Sequence, residues 1–276
     1  MGPRKSAQIE EYMRAGGREV DELFEWPYQH GGELTDIGIL RHMIAQNILI
    51  EPFDIRLLQS NGYDVRLGRN YWEIKDPKET NGSGKFARLN HENQTYAILD
   101  PLDNLNVRAI YYGPKKAVPF QDLLAEQEQQ LKPVPQNEWG RFLEGVEAND
   151  QLIILPPKEN FLCHTEEFIG GLNVVDTSIS GKSTTGRIGL EICSDANKGD
   201  VGFQSRWTLE ITNKHNRVAV LLLVGQPYAT VTFTEVERPV RQYIGSYQSG
   251  RTLKELVADW NPERMLPKMK RIKVTE

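Results

Sequence analysis

The sequence predicts a mainly β protein, a sandwich or barrel body with a few peripheral helices. Three observations carry this. From residue 151 onward the chain divides into short, β-branched-rich runs separated by turn residues: LIILPP, FLCHTEEFI, GLNVVDTSI, RIGLEIC, RWTLEITN, VAVLLLV and YATVTFTEV. That spacing suits a sandwich or barrel and not a βαβ unit. The 276 residues are 39% hydrophobic and 26% charged, ordinary for a globular protein of one large or two small domains. Helical periodicity is confined to a few separate segments.

Residues 1–33 are polar and rich in glycine, with short helices expected over Glu10–Met13 and Val20–Phe24. They read as an N-terminal extension that packs on the body or on a neighbour. In LTDIGILRHMIAQNILI, residues 34–50, Thr35 or Asp36 can cap a helix whose Ile37, Leu40 and Ile44 share one face. Asn47 ends it, and Ile48–Ile50 begin an extended segment. Asn61-Gly62 marks a turn, and YDVRLGRNYWEI then alternates like a strand. Residues 75–95, with the tract ETNGSGK, read as loop, and Ala97–Leu102 and Val107–Tyr112 as strands. Residues 118–145 predict a helix, a Pro-broken turn and a second short helix, an insertion on the β body. The main domain is placed at 34–245, with 246–276 as a C-terminal lid or tail in which Thr252–Trp260 forms a final helix.

Composition narrows the function classes. Net charge is −5, and the basic run KMKRIK reads as a solvated tail, so no nucleic-acid partner is expected. No apolar run reaches the roughly eighteen residues of a membrane span, and the N-terminus lacks the apolar core of a secretory signal. The Met1-Gly2 start with Ser6 fits only a loose myristoylation pattern, interrupted by Pro3. Two separated cysteines, Cys163 and Cys193, favour a reducing compartment over a disulfide framework, and a cytoplasmic location is expected. The five histidines form no HExxH, HxE…PCxxC or CxxC-linked pattern, so no zinc site is expected. A GxSxG elbow and a Cys-His catalytic signature are also missing. Carboxylate binding of Mg²⁺ together with a substrate phosphate stays open.

The densest chemistry lies between Gly181 and Glu210. SGKSTTG, residues 180–186, lacks Walker A spacing, yet its glycines permit a turn. Lys182, Ser183, Thr184 and Thr185 offer a charge and several donors to phosphate oxygens. Taken alone, the segment fits a solvated hairpin turn better. Glu210 points away from Leu209 and Ile211 on its strand, which alone suits a solvent-facing side chain. Asp200, between glycines, suits an Asx-type turn. Asp64 suits a structural role at a strand start, and Arg187 a surface position or a buried partner for a carboxylate.

The segment GKSTTGRIGLEICSDANKGDVGFQSRWTLEITN resembles the dCTP deaminase family of the dUTPase-like superfamily, whose members carry GRSSLARLGL…(V/T)A…IDPGW…LE(F/I)xN. Upstream, LTDIGILRHMIAQNILIEPF…LQSNGYDVRLG resembles the family's opening helix and its "YDLRLG" strand. SYQSGRT resembles its C-terminal "KYQ" segment. The resemblance covers roughly half the chain, in the family's order. It implies a dUTPase-like distorted β-barrel or jelly-roll-like body and a homotrimer with inter-subunit sites. The implied activity is hydrolysis of dCTP to dUTP and ammonia, with Mg²⁺ on the triphosphate and no metal at the base.

Carried over by position, Glu210 is the implied general base, and Ser183 and Arg187 hold the attacking water and orient that carboxylate. The Ala196 carbonyl helps bind the water, and Asp200 lies near the sugar 3′-hydroxyl. Lys182, Ser183 and Thr184 are implied phosphate contacts, and Tyr247 and Gln248 belong to a lid over the triphosphate. One carboxylate can take a proton from water, give it to N3 and help ammonia leave. The chain departs from the pattern at Lys182 (usually Arg), Cys193 (often His), Val201-Gly202-Phe203 (usually Pro-Gly-Trp) and Ser246 (a lid Lys). Two alternatives stand beside deamination to dUTP. One is a dUTP diphosphatase, or a bifunctional enzyme making dUMP. The other is a non-catalytic nucleotide-binding protein of the same fold.

Overall fold

The computed structural model of the chain describes residues 3–21, 23, 31–75, 86–92, 94–130, 145–248, 250 and 252–269. Helix α1 (Pro3–Ala15) is longer than the segment expected at 10–13, and it sinks Ile9 and Met13 into the main core. Lys5 fastens it to the body, donating to the Ile50 carbonyl at 2.8 Å and pairing with Glu51 at 2.5 Å. The second expected helix, 20–24, falls partly outside the described residues. After the short β1 (Gly32–Glu33) comes α2 (Asp36–Ile44), with Thr35 at its N-cap. Thr35 makes no side-chain cap bond; Asp36 Oδ1 accepts from the Ile37 N–H instead. The fully buried face of α2 is Ile39, Leu40 and Met43, while Ile37 and Ile44 are only partly covered.

Strand β2 (Ile48–Glu51) follows, then β3 (Leu58–Gln59) and β4 (Gly62–Arg66), joined by the Asn61-Gly62 turn. The stretch YDVRLGRNYWEI is not one strand. It breaks after Arg66 and resumes as β5 (Asn70–Ile74) in a different sheet. Gly68 sits at the corner against the His164 ring, where a Cβ would overlap imidazole atoms. Residues 87–91 are also not loop: β6 (Ala87–His91) pairs with β7 (Gln94–Ile98) as a hairpin, and the strand expected over 97–102 ends at Ile98. The tract ETNGSGK lies outside the described residues.

Residues 107–112 are likewise only partly extended. Asp103 accepts from the N–H groups of Leu105 and Asn106, nucleating α3 (Asn104–Arg108) before β8 (Tyr111–Lys116) begins. Strand β9 (Val118–Pro119) leads into α4 (Phe120–Gln130), the first helix expected in the insertion. Its Phe120 and Leu123 pack on Leu152 in a small separate cluster. The Pro-broken turn and second helix expected there lie outside the described residues.

The remainder is β10 (Gln151–Leu155), β11 (Asn160–Gly171), β12 (Val175–Gly181), β13 (Leu190–Ile192), β14 (Lys198–Gly199), β15 (Gln204–Asn213), β16 (Val220–Leu223) and β17 (Pro227–Glu235). Between β12 and β13 the chain forms a one-turn helix, α5 (Ser183–Arg187), in place of a simple hairpin turn, so RIGLEIC is extended only from Leu190. The final helix, α6 (Leu253–Asp259), carries a capping box between Thr252 and Glu255.

One sheet runs β14-β12-β17-β4-β3 with β1 on β17; a second runs β13-β15-β11-β5-β8 with β2 on β11. A third has the order β16-β10-β9. The pairings are antiparallel, and the main core fills the space between Val65, Ile179, Val231 and Phe233 of the first sheet and Phe161, Ile169, Leu209 and Ile211 of the second. The chain is therefore mainly β with peripheral helices. Its sheets are open paths, with no closed barrel among the described residues. None of the described helices is long and apolar enough to cross a membrane.

Candidate active site

Strand β15 alternates strictly. Trp207, Leu209 and Ile211 are buried in the core, which turns Arg206, Thr208 and Glu210 to the opposite face. That face does not meet open solvent. It forms one wall of a cavity of about 370 Å³. The chain on either side of β14 closes a second side, with Ala196 before it and Asp200 and Phe203 after it, and Tyr111 comes from the start of β8. The C-terminal segment closes the third with Tyr243, Tyr247, Trp260 and Arg264.

Four residues singled out in the sequence thus share one cavity: Glu210, Ala196, Asp200 and Tyr247. Glu210 is half-buried midway along β15, opposite Leu162 of β11, and its carbonyl accepts from the Cys193 N–H at 3.1 Å. Burial pushes its carboxyl above the usual range, and the negative charge of Asp195 adds to the shift. Such a group exchanges a proton nearer to neutral pH than an exposed glutamate. Tyr111 is pushed up too, by burial first and then by the charges of Glu210 and Tyr247.

Asp200 is exposed at the head of a tight turn, whose closing bond runs from the Phe203 N–H to the Asp200 carbonyl at 2.9 Å. The turn is therefore closed by backbone, not by an Asx side-chain bond, with Gly202 at φ +99°. Its carboxylate has no ion-pair partner among the described residues and borders the cavity. Tyr247 accepts from the Lys268 N–H at 3.0 Å, while Lys268 Nζ donates to the Ser246 carbonyl at 3.1 Å.

The other predicted residues lie elsewhere. Ser183, Thr184 and Arg187 are exposed on α5, at the Asn213 end of β15, and do not line the Glu210 cavity of their own chain. Lys182 is engaged: its Nζ donates to Asp64 Oδ2, and Thr230 Oγ1 donates to Asp64 Oδ1 at 2.6 Å. Asp64 is thus the structural residue its strand position suggested. Gln248 is a staple, accepting from the Gln204 N–H at 3.2 Å and donating to the Gly250 carbonyl at 3.0 Å.

Sequence reading missed Arg206, Tyr111, Tyr243, Trp260 and Asp195. Only Arg206 carried a signal, the period of two that links it to Glu210 on β15. Among the described residues no three His, Cys, Asp or Glu side chains are placed to hold a metal ion.

Residues 120–236 match the family model described as dCTP deaminase-like. A protein of Methanosphaerula palustris named "dCTP deaminase, dUMP-forming" is 25% identical over 211 residues, 76% of this chain and 84% of that protein. One of the same name from Tropheryma whipplei (strain Twist) is 27% identical over 213 residues, 77% of this chain and 83% of that protein. A crystal structure of 2′-deoxycytidine 5′-triphosphate deaminase from Agrobacterium tumefaciens, 15% identical, aligns with a TM-score of 0.43 over 75% of this chain and 49% of that one. The chain therefore spans about half the length of that solved protein.

Proposed function

The chain carries a dCTP deaminase-like domain and resembles the dCTP deaminase family, and from that premise we propose that it hydrolyses dCTP to dUTP and ammonia. The observation that carries the reading is the half-buried carboxylate of Glu210, held at raised pKa in a cavity walled by aromatic rings. Cytosine needs water added at C4 while N3 gains a proton. Glu210 takes a proton from the attacking water as the new C4–O bond forms, and delivers it to N3. The C4–N4 bond then breaks, ammonia leaves with a proton relayed through the same carboxylate, and the C4 hydroxyl becomes the carbonyl of uracil. The low-dielectric walls strengthen each of these interactions. Ala196 supplies a backbone carbonyl at the cavity rim, and Asp200 a carboxylate for the sugar hydroxyl.

Ser183, Thr184 and Arg187, to which the resemblance assigns phosphate binding and water orientation, are solvent-facing in their own chain. A homotrimer, in which α5 of one copy completes the cavity of the next, joins the two halves. Mg²⁺ would enter bound to the triphosphate. Incubation of the purified protein with each deoxynucleoside triphosphate tests the reading: dCTP is expected to release ammonia, and binding without turnover would overturn it.

A second reading is favoured by the printed names of the relatives, "dCTP deaminase, dUMP-forming". In it dUTP is further hydrolysed at phosphorus, and Asp200 activates the second water. Pyrophosphate and dUMP among the products select this reading, and dUTP alone dismisses it.

A further inference from the structure

The Glu210 cavity holds a further charged group, Arg206, that neither the family match nor the motifs assign. Arg206 lies on the same face of β15 as Glu210, four residues away, or about 13 Å at ~3.3 Å per residue. Its guanidinium is clamped between two rings, 4.9 Å from the Phe168 centroid and 4.7 Å from that of Trp260. Phe168 is its cross-strand partner on β11, and Trp260 comes from the end of α6. Trp260 is itself seated on the buried His164 ring, 4.5 Å between centroids, which fixes the clamp from behind.

This clamped guanidinium has no carboxylate at ion-pair distance among the described residues. Its Nε is enclosed with no hydrogen-bond partner. The two carboxylates nearby are committed to Arg66: Glu167 at 2.6 Å and Glu166 at 3.6 Å. Burial lowers the guanidinium's own pKa; the charges of Glu166 and Glu167 act against that shift without reaching ion-pair distance, and the positive charge of Arg69 adds to it. An enclosed cation with an unmet donor is costly unless something supplies the acceptor. Here the group opens onto a cavity sized for a small ligand.

We propose that Arg206 binds the phosphate chain of the nucleotide whose base is held at Glu210. The spacing supports phosphate over base, since about 13 Å along the strand exceeds the span of a pyrimidine ring and suits a nucleoside phosphate. Thr208 lies between the two groups, and Asp200 borders the same cavity where the sugar would pass. The stacked, planar fork presents paired donors to phosphate oxygens, a geometry that lysine does not reproduce.

This assignment rests on the reading of the cavity as a nucleotide site, and calorimetry separates the two. Affinities for dCTP and for deoxycytidine are measured on the wild type, Arg206→Lys and Arg206→Met, the last keeping an apolar stem between the rings. Both variants are expected to lose roughly 10- to 100-fold in dCTP affinity, as when hydrogen bonds to a charged group are removed. Deoxycytidine binding is expected to stay near the wild-type value. Equal losses for both ligands, or no loss for either, overturn the role of Arg206 and leave the function reading standing. A wild-type protein that binds no dCTP overturns both. In the wild type, the Arg206 Nε–H resonance is expected to shift with dCTP and not with deoxycytidine; an unchanged resonance under saturating dCTP also overturns the assignment.

Discussion

Replacing Glu210 with glutamine changes one atom of a half-buried side chain and removes the only carboxylate on the cavity face of β15. General acid–base catalysis contributes about 10²–10⁴-fold per positioned group. In the proposed mechanism one group takes the proton from water, delivers it to N3 and serves the departing ammonia, so the loss in kcat is expected at the upper end, about 10⁴-fold. Binding should survive, because the amide keeps the volume and can still hydrogen-bond. Stability gives an independent check. The folded-state pKa of Glu210 is raised, so ionisation destabilises the fold above that pKa and has no effect below the unfolded value. Glu210→Gln should therefore melt at the same or a higher temperature at pH 8, with its advantage fading toward pH 4. Steady-state ammonia release and dCTP calorimetry read out the two halves. A fall in kcat of less than about tenfold would refute the proton-carrier role. The wild-type acid limb of kcat/KM should lie above the ordinary 4.5 of a glutamate and vanish in the variant.

Three further outcomes are expected. Lys182→Met leaves the Asp64 carboxylate, 5% exposed, without its cation and should lower stability by about 3 kcal/mol in urea titration; adding Asp64→Asn should restore part of this, and no loss would remove the pair's structural role. Arg187→Ala and Glu210→Gln proteins, each inactive alone, should recover activity when unfolded and refolded together, because about a quarter of two-copy sites then receive both wild-type residues. Recovery of nothing would place both residues in one chain's site. Gly68→Ala drives a methyl into the His164 ring and should cost about 1–3 kcal/mol in thermal melts, and a wild-type melting temperature would show that the corner can shift.

The strands after residue 151 were legible because each is a short apolar run, buried on at least one face and punctuated by turn residues. What escaped was local geometry that tertiary contacts decide. YDVRLGRNYWEI keeps its alternation across a sheet change, since the corner depends on Gly68 meeting a histidine almost a hundred residues away. Residues 107 and 108 read as the start of a strand because Asp103 was not recognised as the N-cap of the helix over 104–108. SGKSTTG gave no sign of a one-turn helix, which is too short for any periodicity to register. At the site, the alternation of β15 placed Glu210 correctly relative to Leu209 and Ile211, but alternation cannot tell a solvent-facing side from a cavity wall. Only packing of the C-terminal segment over that face makes the difference.

Under the proposed function, that segment is where substrate preference would be set. The floor of the cavity, from Leu162 to Glu210, falls within residues 120–236 that match the dCTP deaminase-like model. Its cover does not: Tyr243, Tyr247, Trp260 and Arg264 all lie beyond residue 236, and Tyr111 lies before 120. In the proposed reaction the deamination chemistry falls to the floor, where the Glu210 carboxylate and the strand backbone would meet the base. Discrimination among nucleotides needs the cover, which fixes the depth, the aromatic walls and the clamp on Arg206. The two parts are joined by bonds that a ligand would have to leave intact. These are Gln248 to the Gln204 N–H, Tyr243 N–H to the Val201 carbonyl, and the Trp72 indole N–H to the Pro262 carbonyl. Because each reaches a different strand or loop of the floor, the cover is held as a fixed wall, and changes in its side chains should alter which nucleotide binds without moving the catalytic carboxylate.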